Sequence, residues 1–353
     1  MSRPALALPF AALGLLAACA GTSGKSGTAD TSPSAATSKY AQMPANLAYL
    51  KSGDVRSFHV KYVAHVTDVP AGTKTLRVWL PVPQSTPVQT IADLEFSGGT
   101  PRIGTEKKYG NQVACFDIAN PGASVDVTMS FAFTRAEQVT DLAALSDGIE
   151  TDKSAAVFLQ NDKLTFVDDR IRKMAAEITA GKKTTLEKAR AIYDYTVSHV
   201  TYDKSGKGWG MGDTNFACDV GKGNCTDFHA LFMSLCRGAG IPAGFEIGLY
   251  FPYERGKVEA PGGYHCWSFF RVPGKTWVPI DASEAGRLND PAKKAYFFGA
   301  HTSNRVTLSV GRDIVLEPAQ AGAPLNYFLA PYAEADGKPL PKAPTKTWEY
   351  KEL

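Results

Sequence analysis

The stretch GNCTDFHALFMSLCRGAGIPA, residues 223–243, decides how this chain reads. Phe228, Leu231, Phe232, Leu235, Cys236 and Ala239 recur at helical spacing on one stripe, and Gly238, Gly240 and Pro242 close the run. The pattern predicts an amphipathic helix that begins just after Gly223. Cys225 stands three residues before Phe228, in the first turn and at the edge of the apolar stripe. Backbone N–H groups are unpaired at that end of a helix, and the helix dipole favours negative charge there. Both effects lower the pKa of a thiol and favour thiolate, its nucleophilic form. Gly223 lets the chain turn sharply into the helix.

Two downstream segments supply partners for a thiol. His265 to Val272 reads as a strand, Pro273-Gly274-Lys275 as a turn, and Trp277 to Asp281 as the returning strand. Folding the hairpin at Pro273-Gly274 makes facing residue numbers sum to about 547, which brings His265 within one residue of facing Asp281. Opposed side chains in an antiparallel pair are close neighbours. A carboxylate on one imidazole nitrogen fixes the tautomer and leaves the other nitrogen free to take a thiol proton. His229, four residues after Cys225, lies on the same helix face and is the competing base. Its other reading is a polar residue packed beside the site. Cys266 alternates away from His265 and is expected to pack on the opposite side of the strand. Trp267 and Trp277 read as core residues.

Cysteine, histidine and aspartate in this order resemble the transglutaminase-like superfamily, with its papain-type triad. The resemblance covers roughly residues 165–300 and rests on GNCTDFHALFMSLCRGAGIPA, GGYHCWSFF and WVPIDAS. It implies a core helix presenting Cys225 against a β-sheet that carries His265 and Asp281. It also implies thioester chemistry on amides, in which water or an amine resolves the acyl-enzyme. The cross-linking members bind calcium and use an upstream tryptophan for the oxyanion. This sequence has no recognisable calcium loop. Trp209, in a glycine-rich loop expected from Lys204 to Gly223, is the upstream tryptophan near Cys225. The backbone N–H of Cys225 is the simpler oxyanion donor.

The N-terminus points to export. Arg3 precedes an apolar run, Ala5 to Leu16, that is too short to span a bilayer. Leu16-Ala17-Ala18-Cys19 resembles a bacterial lipobox, which implies a signal peptide over 1–18 and a lipidated Cys19. An ordinary signal peptide cut near Ala20 is the alternative. Ala20 and Gly21 follow, with no aspartate to retain the protein at the inner membrane. In a Gram-negative cell the expected place is therefore the outer membrane, facing the periplasm. Residues 20–48 are rich in Ser, Thr, Ala, Gly and Lys, so 19–48 reads as a lipidated N-terminus and flexible tether.

An α+β fold is expected. Phe58, Val60, Tyr62, Ala64 and Val66 alternate, as do Leu76, Val78 and Leu80, and Val125, Val127, Met129, Phe131 and Phe133. This period of two predicts an N-terminal antiparallel β-sandwich over 49–150. Helical periodicity then begins near residue 168. Ile171, Met174, Ala175 and Ile178 share one face, and Thr184 and Thr185 cap a second helix with Leu186, Ala189, Tyr193 and Val197. The transglutaminase-like, papain-like catalytic domain is placed at 151–310. A C-terminal extension over 311–353 has strand-like pieces at Asp313 to Leu316 and Tyr327 to Leu329 and no assigned role. Pro252 to Gly263, rich in Gly, Pro and charge, reads either as a flap or as an ordinary surface loop.

The 353 residues carry a formal charge of +3, with 44% apolar and 21% charged residues. No Lys/Arg block stands out, so nothing asks for nucleic acid as a partner. No glycine pattern suits a phosphate or dinucleotide, and no cofactor is expected. Cys218, Cys225, His229 and Cys236 lack the tight Cys-x-x-Cys pairs of structural zinc, so no metal is expected. In an exported protein, Cys115, Cys218, Cys236 and Cys266 allow three disulfide pairings, or four free thiols. The expected activity is an envelope-anchored thiol hydrolase acting on peptide or amide bonds of a protein or peptide substrate. A protein-glutamine acyl transferase and a non-catalytic peptide-binding scaffold are the alternatives. Oligomeric state is not legible. Cys19→Ser should release the protein into soluble fractions or block its processing; unchanged membrane association in that variant would overturn the anchor.

Overall fold

The computed structural model describes residues 50–51, 53–256 and 263–353. The expected signal peptide, Cys19 and tether, and residues 257–262 of the Pro252–Gly263 segment, lie outside the described residues. The architecture is α+β, with an antiparallel sandwich beside a helix-and-sheet core.

The alternating segments form the expected strands. Val55–Val66, Thr75–Val82 and Val125–Ala136 turn Phe58, Val60, Tyr62, Ala64, Val66, Leu76, Val78, Leu80, Val127, Met129, Phe131 and Phe133 inward, all buried. One sheet has the order Thr345–Glu352, Val55–Val66, Val125–Ala136, Gln89–Ser97. The other runs Lys338–Pro339, Tyr332–Ala335, Thr75–Val82, Gln112–Ala119, Arg102–Thr105. The C-terminal segment thus returns to the sandwich, where Tyr332 faces Trp79 and Trp348 faces Tyr62. Its strands are not those expected from sequence. Ile314 makes only an isolated bridge to Leu325, while the strands lie at 332–335 and 345–352.

The helical half is built on Cys225–Gly238, with Asp169–Ile178, Thr185–His199 and Thr214–Val220 around it. Thr184 and Glu187 make a capping box, and Asp168 caps the preceding helix. One expectation is corrected here. The Lys204–Gly223 segment is not all loop, since Asp213 caps the helix Thr214–Val220 within it. The helix Cys225–Gly238 is enclosed on every side: every residue from Cys225 to Arg237 is buried. Its polar side is covered and bonded, with Ser234 2.7 Å from Thr214 and Arg237 2.8 Å from Asp162. Most buried polar groups in folded proteins are paired in this way.

A four-stranded antiparallel sheet backs this helix, in the order Thr276–Ile280, Tyr264–Val272, Ala243–Tyr250, Arg305–Val310. One apolar core runs from its helix side into the sandwich, linking Phe228 and Leu231 with Phe58 and Val60. Phe251 stacks on Phe58 at 4.3 Å between ring centroids. The register shifts between Ile247 and Gly248, where the strand Arg305–Val310 crosses closely. A Cβ on Gly248 would collide with the Val306 carbonyl. Gly248→Ala is therefore expected to destabilise the protein by about 1–3 kcal/mol through overpacking, read as a lower urea midpoint.

Candidate active site

Asn224 caps the helix, its side chain accepting the Thr226 N–H at 2.9 Å. Asp227 completes the box by accepting the Asn224 N–H at 2.9 Å. The same carboxylate accepts the N–H of Gly210 at 2.7 Å and of Gly212 at 3.0 Å, tying the glycine-rich loop to the start of the helix. Gly223 lies so close that a Cβ there would strike Asp227. Cys225 is the first helical residue, 2% exposed. Asp227 was not singled out from sequence, although an acid three residues after an Asn cap is a legible capping signal. Trp209 is half-buried in the loop that Asp227 holds.

His265 Nε2 lies 2.8 Å from Asp281 Oδ2. The route to this contact differs from the expectation. The hairpin has a three-residue loop, with Val272 facing Thr276 and Gly274 left-handed at φ 63°. The facing register therefore shifts by one, and the ladder ends at Ser268 and Ile280. Asp281 leaves the strand and caps a short helix, Ala282–Gly286, its Oδ1 accepting the Glu284 N–H at 3.1 Å and the Ser283 hydroxyl at 3.0 Å. His265 and Asp281 thus meet diagonally rather than face to face.

Arg305, which sequence reasoning missed, is the second cation on Asp281. Its Nη1 lies 3.0 Å from Oδ2, its Nη2 donates to Thr302 at 2.9 Å, and its guanidinium sits over Trp267 at 4.8 Å. Arg305 and Asp281 are both fully buried. No local pattern signals this pair, because the residues lie on separate elements.

Electrostatics follow from this geometry. Burial disfavours a charged Asp281, but the adjacent His265 and Arg305 hold its carboxyl well below the ordinary range. Burial likewise opposes a charged His265, yet the Asp281 charge and hydrogen bond win and raise the imidazole to about 10. The Cys225 thiol is held well below its ordinary value by hydrogen bonds from Cys266 and His265, against the cost of burial. A buried thiolate beside an imidazolium is the resting state these shifts describe.

Cys266 does not point away from the site, contrary to the alternation argument. Its Sγ lies 3.5 Å from His229 Nδ1 and 3.9 Å from Thr226 Oγ1, and it is a hydrogen-bond partner of the Cys225 thiol. The cysteine helix lies across this strand, so its first turn meets Cys266 while His265 reaches the thiol from the strand's end. His229 is fully buried, with Nε2 3.7 Å from Asp281 Oδ1, beyond hydrogen-bond length. Burial lowers its pKa to about 4, so the ring is neutral. Asn224 Nδ2 donates to the Tyr264 hydroxyl at 3.1 Å, and Tyr202 lies under Arg287 at 5.1 Å. Tyr250 packs edge-on to His265 at 4.8 Å.

Known proteins share this construction. Residues 172–282 match the transglutaminase-like superfamily. The matched span holds Cys225, His265 and Asp281, so the part of the chain that is similar to this superfamily is the part that carries the site. A crystal structure from Cytophaga hutchinsonii, described as a candidate cysteine protease, superposes with a TM-score of 0.56 at 16% identity, over 86% of this chain and all (100%) of that one. The likeness extends the shared fold through the sandwich. A Haemophilus influenzae protein described as uncharacterized is 26% identical over 320 residues, covering 80% of this chain and 87% of that protein. At family level these findings support a papain-like hydrolase or transferase.

The Cys225–His265 pair has a defined pH window. Thiolate and imidazolium coexist above the lowered thiol pKa and below about 10, where His265 loses its proton. Alkylation of Cys225 by iodoacetamide should therefore persist to pH values well below 9.0, the ordinary thiol value. In His265→Ala the profile should move up towards that value, and in His229→Ala much less. Peptide mass spectrometry across a pH series reads both; an unmoved profile in His265→Ala removes His265 from the pair.

Proposed function

We propose that this protein is a thiol hydrolase of peptide or amide bonds, anchored in the cell envelope. The observation that carries the reading is the buried line Cys225–His265–Asp281, with His265 Nε2 held by Asp281 at 2.8 Å. That bond leaves Nδ1 as the nitrogen for the thiol. The Cys225 thiolate attacks the carbonyl carbon, and the oxyanion develops beside the start of the helix, with the Cys225 N–H and Trp209 as proposed donors. His265 Nδ1–H protonates the leaving amine as the C–N bond breaks, which leaves a thioester. The now neutral imidazole then takes a proton from water, hydroxide adds, and the acid leaves as the thiolate and imidazolium re-form. Asp281 keeps the imidazole oriented and offsets its charge.

Hydrolysis is favoured because water needs no dedicated binding site. The Cytophaga hutchinsonii chain's description as a candidate cysteine protease agrees with it. One observation keeps the transferase reading alive: Cys225 is 2% exposed and His265 5%, so water reaches the thioester only through a narrow opening. The envelope location rests on the sequence Leu16-Ala17-Ala18-Cys19.

Purified protein incubated with an envelope peptide pool and a tagged primary amine separates the readings by mass spectrometry. New peptide termini or deamidated glutamine are the expected products; tagged glutamine would replace hydrolase by transferase. Cys225→Ala should abolish turnover, and Asp281→Asn should reduce it on the order of 10-fold to 10⁴-fold. No product from any pool would leave a peptide-binding scaffold.

A further inference from the structure

Two thiol–imidazole arms converge on one carboxylate. In the first, Cys225 pairs with His265, whose Nε2 lies 2.8 Å from Asp281 Oδ2. Cys266 and His229 approach Oδ1, with 3.5 Å from Cys266 Sγ to His229 Nδ1 and 3.7 Å from His229 Nε2 to the carboxylate. The proposed hydrolysis uses only the first arm. The second holds a nucleophilic atom and a fully buried imidazole whose Nε2 has no hydrogen-bond partner. Both thiols are free, and Cys266 Sγ lies 3.9 Å from the hydroxyl of Thr226, the residue directly after Cys225.

We propose that Cys225 and Cys266 are the two halves of a reversible disulfide, so that the site is a redox modification site switched off by peroxide and restored by a thiol reductant. The proposal rests on the reading of Cys225 as the reactive thiol. In the first step the Cys225 thiolate attacks one oxygen of hydrogen peroxide. The O–O bond breaks, Cys225 becomes a sulfenic acid, and the departing hydroxide takes a proton from the His265 imidazolium to leave as water. In the second step Cys266 sulfur attacks the sulfenic sulfur. Its proton passes to His229 Nδ1 and on to the departing hydroxide, forming a second water. Two thiols lose two protons and two electrons, and one peroxide becomes two waters.

The order of events follows from charge. In the reduced protein, burial and the adjacent Cys225 thiolate hold the Cys266 thiol well above its ordinary pKa, so Cys266 is protonated. Sulfenic acid formation removes that negative charge and the hydrogen bond to it, which releases Cys266 to attack. Cys115 and Cys218 are buried on other elements, and Cys236 is buried in the last turn of the cysteine helix, at the end away from Cys225. A disulfide here also withdraws the sulfur from His265, so turnover stops without further modification of Cys225.

The test uses the intact reduced protein, treated with hydrogen peroxide, blocked with N-ethylmaleimide and digested. A linked peptide pair containing Cys225 and Cys266, lighter by two hydrogens, is expected, and dithiothreitol should restore both thiols together with iodoacetamide labelling of Cys225. In Cys266→Ser, and in Cys266→Ala should serine disturb folding, Cys225 should proceed to sulfinic and sulfonic acids and lose labelling that dithiothreitol cannot recover. Over-oxidation of Cys225 in the unmutated protein with Cys266 still blocked by N-ethylmaleimide would overturn the switch while leaving the hydrolase reading intact. A Cys225 inert to both peroxide and iodoacetamide would overturn both. A link from Cys225 to Cys115, Cys218 or Cys236 would also overturn the pairing.

Discussion

A carboxylate with no exposed surface has to be surrounded by partners, and Asp281 organises the site by that requirement. One oxygen takes His265 and Arg305; the other takes the Ser283 hydroxyl and the first turn of Ala282–Gly286. Removing one member of a buried ion pair generally costs on the order of 3–5 kcal/mol, because the other charge is left without compensation. The arrangement is therefore rigid, and rigidity is what a thiol–imidazole pair requires if its protons are to sit in one place. Two cations share the charge of Asp281, so Arg305 also limits how strongly the carboxylate can hold the proton on His265.

The start of the cysteine helix is fixed with comparable care. Asp227 accepts backbone N–H groups from Asn224, Gly210 and Gly212, which satisfies orphan donors and pins the loop bearing Trp209. Arg312 holds the far side of that loop, donating to the carbonyls of Gly212 at 2.8 Å and Met211 at 2.7 Å. Arg312 belongs to the C-terminal segment, as do the strands that complete the sandwich. The sandwich and the site are thus linked through the end of the chain. Tyr62 in the sandwich donates to the Leu329 carbonyl at 2.9 Å within the same segment.

Local patterns settle a good deal of this protein. The period-two segments specify the sandwich strands, and the 3.6-residue stripe after Gly223 specifies the cysteine helix, because backbone geometry alone decides which side chains share a face. The position of Cys225 in the first turn is likewise local. So is the pairing of a histidine with an aspartate across a hairpin, since a short turn leaves few registers for the two strands. The order Cys225, His265, Asp281 with these contexts was enough to point to the family.

Tertiary structure decided what depends on residues far apart in the chain. The one-residue change in register and the departure of Asp281 into a helix cap came from the loop conformation at Gly274, which composition does not fix. The full burial of the cysteine helix came from neighbours that cover its polar side, which a single helix's periodicity cannot reveal. The arrival of Arg305 at Asp281, and of Cys266 and His229 beside Cys225, depends on how helix and sheet cross. Alternation along a strand says which face a side chain leaves from, but a helix packed across the strand's end can touch residues from both faces. The site's polarity was therefore legible from sequence in kind, while its charge balance and its second thiol were set only when the chain folded.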